Sequence, residues 1–216
     1  MKHLDRDLLR LQDHMVALGK LVEEATTKSV RCVETYDLVL VEEILEGEQL
    51  INDREVEIEE ECLKVLALHQ PVAIDLRFLI VVLKVNNDLE RMADQAVNIA
   101  ERVKFLSGLE RLVIDLDFPG MGKICSKMVH RSIDALVRRD VATARKVLEM
   151  DDELDAMHAR SYGVIQEAMQ ASPDSVPQAV SHLTISSNME RLGDLATNIA
   201  EEIIFMEEGE VIRHRT

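Results

Sequence analysis

A segment of thirteen residues occurs twice in this chain, one hundred residues apart. Residues 89–101 and 189–201 are identical at eight positions, which include a glutamate, an arginine, an aspartate and an asparagine. Upstream the matching residues lie 103 apart, as in Gly19 with Gly122 and Asp37 with Asp140. Two amphipathic helices of similar composition would share apolar positions, but not polar residues in register. The sequence therefore predicts two copies of one folding unit.

Long proline-free stretches with helical periodicity separate the four prolines, Pro71, Pro119, Pro173 and Pro177. Apolar residues recur every three or four positions in these stretches, as expected for helices packed along their length. The predicted helices span about 3–36, 38–68, 72–107, 121–138, 140–171 and 176–208. We therefore predict an all-α fold of two tandem three-helix bundles, with one repeat in residues 1–108 and the other in 119–216.

The chain is strongly acidic, with 41 acidic and 25 basic residues and a formal net charge of −16. This balance argues against nucleic-acid binding and against an anionic membrane surface. The negative charge suits the binding of cations or of a basic partner surface. The alternative is that the acidity serves only to keep the protein soluble. The charged opening, the short apolar run 78–83 and three isolated cysteines predict a cytoplasmic protein without signal peptide, membrane insertion or disulfides.

The duplicated segment carries two carboxylates four residues apart in each copy. These are Glu90 and Asp94 in the first copy, and Glu190 and Asp194 in the second. Side chains at this spacing project from the same face of a helix, about 5–6 Å apart at Cβ, and like charges there repel. Retention of the pair in both copies suggests that a positive group binds beside it.

The middle helix of the second repeat carries a similar stripe, formed by Asp151, Asp155 and His158. The matching residues of the first repeat are, in the same order, Glu48, Asn52 and Glu55. Two such helices facing each other would hold a divalent or iron-type ion, such as Fe, Zn, Mn, Ni or Mg. The predicted ligands are Glu90, Asp94, Glu190, Asp194, Asp151, Asp155 and His158. The alternative is a solvated acidic face without a bound ion.

Signatures of enzymatic chemistry are absent from the sequence. It has no glycine-rich phosphate loop and no GxSxG motif. A di-iron carboxylate bundle would need Glu-x-x-His motifs on two helices, whereas only Asp155 and His158 approach that pattern. We expect a protein that is not an enzyme, with a metal-binding bundle for storage or catalysis as the alternative.

The duplicated motifs resemble those of the PhoU family. Residues 90–94 and 190–194 look like the paired E(D)xxxD signatures of that family, and each is followed by Asn-Ile-Ala-Glu. Residues 205–209, with Arg213 and His214 beyond them, are similar to its C-terminus. The resemblance covers nearly the whole chain. Asn52, in place of a carboxylate, departs from the pattern and weakens the expectation of a metal site in the first repeat.

This resemblance implies a role in phosphate homeostasis. It implies an adaptor that negatively regulates phosphate uptake and the phosphate-starvation response. The implied partners are the ATPase subunit of the phosphate ABC transporter, a sensor histidine kinase and a second copy in a homodimer. It also implies metal clusters at the paired motifs, with ligands from Glu90, Asp94, Glu190, Asp194, Asp151 and Asp155.

Overall fold

The computed structural model describes residues 2–211, and Lys2 by its backbone only. Within that range the chain is helical, with no strand. The helices are α1 (Lys2–Thr35), α2 (Leu38–His69), α3 (Ile74–Ser107), α4 (Phe118–Arg138), α5 (Val141–Ala171) and α6 (Val176–Glu208). A short 3₁₀ turn, Pro173–Ser175, precedes α6. The predicted all-α class with six helices is confirmed. The expected family C-terminus includes Arg213 and His214, which lie outside the described residues.

Aspartates begin three of the helices. The side chains of Asp37, Asp117 and Asp140 accept hydrogen bonds of 2.9–3.2 Å from backbone N–H groups in the first turns of α2, α4 and α5. Such bonds satisfy donors that have no partner inside the helix. The cap at Asp117 explains why α4 begins at Phe118 rather than at 121. The following Pro119 lies in the first turn, where proline is tolerated.

The start of α3 is later than predicted, at Ile74 instead of residue 72. Pro71 precedes it, and Ala73 has a φ of 53°, which breaks the helical backbone. Positive φ is unusual for a residue with a Cβ. Two more such residues, Tyr36 (φ 54°) and Arg139 (φ 53°), follow α1 and α4 at matching positions of the repeats. The two repeats therefore end their first helices with the same backbone turn.

The two repeats pack through α1 against α4 and through α3 against α6. A Cβ at Gly19 would lie 3.0 Å from Ile133 of α4, and a Cβ at Gly122 would collide with Val30 of α1. These two contacts are equivalent under the duplication, since Gly19 matches Gly122 and Val30 matches Ile133. Each glycine thus admits the other repeat's β-branched side chain, and α1 runs antiparallel to α4.

Buried apolar residues of both repeats form one continuous core. Cys32, Cys62 and Cys125 are buried free thiols in the core, and burial raises the pKa of each to about 12. Where α3 crosses α6, Lys84 forms an ion pair of 3.2 Å with Glu202, which is only 2% exposed. Among residues 2–211, no helix has the length and apolarity needed to cross a bilayer.

Candidate metal centre

Three predicted ligands come together where α5 packs against α6. Asp151 and Asp155 project from successive turns of α5, and Asp194 projects from α6. Each offers one carboxylate oxygen, and these oxygens all lie within 4.8 Å of one another. Asp151 is half-buried, whereas Asp155 and Asp194 are exposed. We call these three residues the aspartate triad; it is the only such group of three potential metal ligands in the described part of the chain.

Gly193 allows the close approach of the two helices at this point. A Cβ there would lie 2.6 Å from Cδ2 of Leu154 and 3.4 Å from Oδ1 of Asp151. A Cβ at this position would therefore force the buried side chain of Leu154 to shift. The first repeat has Ala93 at the matching position, so its third helix carries a Cβ where that of the second repeat has none.

The electrostatics of the triad favour a positive group. Oδ1 of Asp151 is buried and accepts no hydrogen bond from the described residues. Burial raises the pKa of Asp151 to about 6, with further contributions from Asp155 and Asp194. Burial also raises the pKa of Asp194 and of Glu190, and Asp155 adds to both shifts. The fold thus holds several carboxylates where their charged forms are disfavoured without a counter-ion.

His158, the seventh predicted ligand, lies one turn beyond Asp155 and is not part of the triad. Its Nδ1 shares a hydrogen bond of 2.8 Å with the hydroxyl of Ser186, which is buried. This bond fixes the orientation of the ring. The ring could coordinate an ion only through its other nitrogen, Nε2.

The first repeat does not reproduce the triad. Asn52 occupies the position equivalent to Asp155, and its Oδ1 is buried without a hydrogen-bond partner in the described chain. Glu90 and Asp94 are present on α3. Burial raises the pKa of both, and for Glu90 the charges of Asp94 and Glu55 add to this shift. The predicted pair of carboxylates is therefore present in the first repeat. The amide of Asn52 replaces the carboxylate that Asp155 supplies in the second repeat.

A side-chain hydrogen bond between the middle and third helices occurs in both repeats, and the sequence analysis did not predict it. Nδ2 of Asn86 donates to Oε1 of Glu55 at 3.1 Å, and also to the Glu55 backbone carbonyl at 2.9 Å. Asn86 and Ser186 are 100 residues apart, and their partners Glu55 and His158 are 103 apart. The sequence signal is a polar residue at a buried helix position. Asn86 and Ser186 lie three positions before Leu89 and Met189.

Comparisons with known proteins agree with this duplicated architecture. A family model described as the PhoU domain matches residues 15–103 and 118–203, one match in each repeat. The phosphate-specific transport system accessory protein PhoU homolog of Aquifex aeolicus is 32% identical over 212 residues, which span 98% of this chain and 96% of that protein. The homolog of Zymomonas mobilis is 33% identical over 216 residues, or 100% of this chain and 91% of that protein.

The helices also superpose on a solved structure. The crystal structure of PhoU from Pseudomonas aeruginosa matches with a TM-score of 0.92 and 30% identity, covering 95% of this chain and 99% of that one. Two family matches, one in each repeat, and similarity along nearly the full length confirm the resemblance seen in the duplicated motifs. This chain belongs to the PhoU family.

Proposed function

We propose that this protein is a regulatory accessory of phosphate-specific transport. The observation that carries the proposal is its full-length similarity to proteins named for that role, including 98% coverage of this chain by the Aquifex aeolicus relative. The proposed action is negative: when phosphate is plentiful, the protein limits phosphate uptake and the phosphate-starvation response. The proposed place of action is the cytoplasm.

The proposed mechanism is that of an adaptor rather than an enzyme. It would link the ATPase subunit of the phosphate ABC transporter to a sensor histidine kinase, with a homodimer as the proposed working unit. Helices of 31–34 residues offer long, rigid faces on which two partners can bind at once. A net charge of −16 disfavours direct binding of the phosphate anion. We therefore propose that phosphate status reaches it through the conformation of the transporter.

The second part of the proposal is a metal site at the aspartate triad. Support comes from the buried, unpartnered Oδ1 of Asp151 and from three carboxylates within 4.8 Å of one another. Oxygen donors of this kind suit Mg²⁺, Mn²⁺ and iron, and the nitrogen of His158 would add affinity for Zn²⁺ or Ni²⁺. A bound ion would neutralise the clustered charges and hold α5 to α6. Glu190 would be an additional ligand.

Thermal unfolding in the presence and absence of each metal tests this site. An ion that binds only the folded state raises stability by about 2.7 kcal/mol at a hundredfold excess over Kd. We expect Asp194→Asn to abolish most of this gain. The equivalent Asp94→Asn should abolish less, because Asn52 already lowers the anionic ligand count of the first repeat. Equal losses in the two variants would contradict the asymmetry, and no gain in the wild type would contradict the site.

Metal stoichiometry separates the adaptor from the alternative of a storage or catalytic bundle. An adaptor with a structural site at the aspartate triad should bind at most a few ions for each chain, measured by elemental analysis after dialysis. Progressive loading with iron well beyond the available ligand sets would favour storage instead.

Gene deletion tests the regulatory role. In phosphate-rich medium, a strain without this protein should express phosphate-starvation genes, and a plasmid-borne wild-type copy should switch them off again. Continued repression in the deletion strain, and in a strain that also lacks any paralogue, would refute the proposal. Complementation with Asp194→Asn then shows whether regulation depends on the metal site.

A further inference from the structure

A buried histidine, His182, lies where the end of α1 meets the second repeat. It belongs to α6 and is only 7% exposed. The ring of Phe118, the first residue of α4, stacks against the imidazole with ring centroids 5.8 Å apart. The hydroxyl of Tyr36, which directly follows α1, lies 3.5 Å from Nε2 of the same ring. We call the contact of His182 with Tyr36 and Phe118 the histidine junction; it joins the first repeat to the second.

The hydrogen bonds of the ring indicate which nitrogen carries the proton. Nδ1 of His182 lies 2.8 Å from the backbone carbonyl oxygen of Gln178. A carbonyl oxygen can only accept a hydrogen bond, so Nδ1 is the donor. In the neutral ring Nε2 is then an acceptor, and the hydroxyl of Tyr36 donates toward it. The contacts of the junction are therefore those of a neutral imidazole.

Burial of the ring opposes the binding of a second proton. Burial lowers the pKa of His182, and the hydrogen bond to the Gln178 carbonyl acts in the opposite direction with a smaller effect. A proton on Nε2 would place a full charge where water has little access. The Tyr36 hydroxyl would then have to accept a hydrogen bond instead of donating one, which a hydroxyl can do. The main cost of protonation is therefore the buried charge.

Charged groups on the neighbouring elements do not offset this cost. The guanidinium of Arg111, from the segment that joins the repeats, lies 4.5 Å from the centre of the tyrosine ring and is positive. Asp37 and Asp117 are next to the junction in sequence, but their side chains cap the first turns of α2 and α4. On α5, His158 forms a hydrogen bond to α6 one turn beyond His182 and brings no negative charge.

The duplication shows that packing alone does not require an ionisable group here. The residues equivalent to His182 and Phe118 are Val82 and Met15, and both are buried. The same place in the fold is therefore filled by aliphatic side chains in one half of the molecule and by an imidazole ring in the other. What the histidine adds to this position is a contact that depends on protonation.

We propose that the histidine junction is a pH-sensitive switch that is closed while His182 is neutral and opens when it gains a proton. Protonation draws the ring toward water, which separates Tyr36 and the segment 109–117 from the start of α4 while the rest of the bundle stays folded. Because the folded state favours the neutral ring, the junction is stable above about pH 6.5, the ordinary pKa of histidine, and is lost as pH falls below it.

This switch is separate from the aspartate triad. Asp194 lies twelve residues along α6 from His182, or about 18 Å at 1.5 Å per residue. Protonation of Asp151, whose pKa is raised to about 6, relieves repulsion within the triad and so does not favour opening. The proposal therefore holds whether or not the protein binds metal or regulates phosphate uptake.

The fluorescence of Tyr36 tests the proposal. The chain has two tyrosines and no tryptophan, so Tyr162→Phe leaves Tyr36 as the only emitting residue. Tyr162 is 56% exposed, and its replacement should not disturb the fold. We expect a reversible change in emission between pH 8 and pH 4, in buffer with a chelator, with a midpoint below about pH 6.5. The helical circular dichroism signal should stay constant through this change.

Variants in the Tyr162→Phe background assign the change to His182. His182→Gln should abolish it, because glutamine does not titrate. The double variant His182→Val with Phe118→Met copies the equivalent residues of the opposite end, which this fold already accommodates, and should also abolish it. His158→Gln is the matched control, because it removes another histidine from the contact of α5 with α6 and should leave the change in place.

Hydrogen exchange of the unmodified protein gives a readout that needs no variant. After correction for the intrinsic rate at each pH, residues 109–121 should exchange faster below the fluorescence midpoint than at pH 7.5, whereas the middle of α3 should not. Three results would overturn the proposal: a fluorescence change that persists in both His182 variants, a change that coincides with loss of helix, or equal protection of residues 109–121 from pH 7.5 to pH 4.

Discussion

Replacing Asp151 by asparagine removes one negative charge from the aspartate triad while preserving the shape of the side chain. In the absence of metal, this substitution should stabilise the protein at neutral pH. Burial and the charges of Asp155 and Asp194 raise the pKa of Asp151 to about 6, compared with about 3.9 in an unfolded chain. The native state therefore holds this carboxylate in a place where its charged form is disfavoured.

The size and sign of the effect follow from this difference in pKa. Two pKa units correspond to about 3 kcal/mol, and solvent screening at a partly open site reduces this to roughly 1–2 kcal/mol. Because the native state binds the proton more tightly, stability is lost as pH rises from about 4 to about 6. Asp151→Asn should therefore melt about 2–8 °C above the wild type at pH 7.5, and at nearly the same temperature at pH 4.

Thermal unfolding followed by circular dichroism from pH 4 to 8, in buffer with a chelator, measures this difference. Glu167→Gln is the matched control, because Glu167 is exposed on the same helix and its loss should change stability by no more than about 0.5 kcal/mol. Added metal should reverse the order, since it stabilises the wild type but not Asp151→Asn. The reasoning fails if the variant is no more stable than the wild type at pH 7.5, or if the difference persists at pH 4.

Two further predictions concern the contacts between the repeats. Gly122→Ala should destabilise the fold by about 1–3 kcal/mol in urea unfolding, because its Cβ would collide with the stiff side chain of Val30. Gly47→Ala, with no atom within 4 Å of the new Cβ, should instead stabilise the fold by about 0.5–1 kcal/mol. If Gly122→Ala were the more stable of the two variants, the interface between the repeats would accommodate the added Cβ. Lys84→Met should cost about 1–3 kcal/mol, because it removes the ammonium group 3.2 Å from the buried carboxylate of Glu202; an unchanged urea midpoint would show that this ion pair contributes little.

Much of the fold was predictable from the sequence because its determinants are local. Apolar residues every three or four positions specify the helices, and prolines mark the breaks between them. The aspartate caps Asp37 and Asp140 recur at the spacing of the duplication. The early start of α4 was missed because a glycine- and proline-rich stretch resembles a loop. The hydrogen bond that Asp117 accepts from the backbone of Gly120 caps the helix and allows it to begin at Phe118.

The candidate site was predictable only as a set of residues on separate helix faces. The spacing of Asp151 and Asp155 places them on one face of α5, and that of Glu190 and Asp194 on one face of α6. Those relations depend on the geometry of a single helix. Sequence therefore supplied all three members of the triad, together with Glu90 and Asp94 as their counterparts in the first repeat.

Only the tertiary structure decided which of these faces meet. The helix–helix contact depends on how side chains of two elements interlock, and Gly193 brings α6 close enough for Asp194 to approach Asp151. The partnership of His158 with Ser186 has the same origin. Helical periodicity is set by backbone hydrogen bonds within one segment. Distances between segments depend instead on the packing of the whole core, which no local pattern in the sequence encodes.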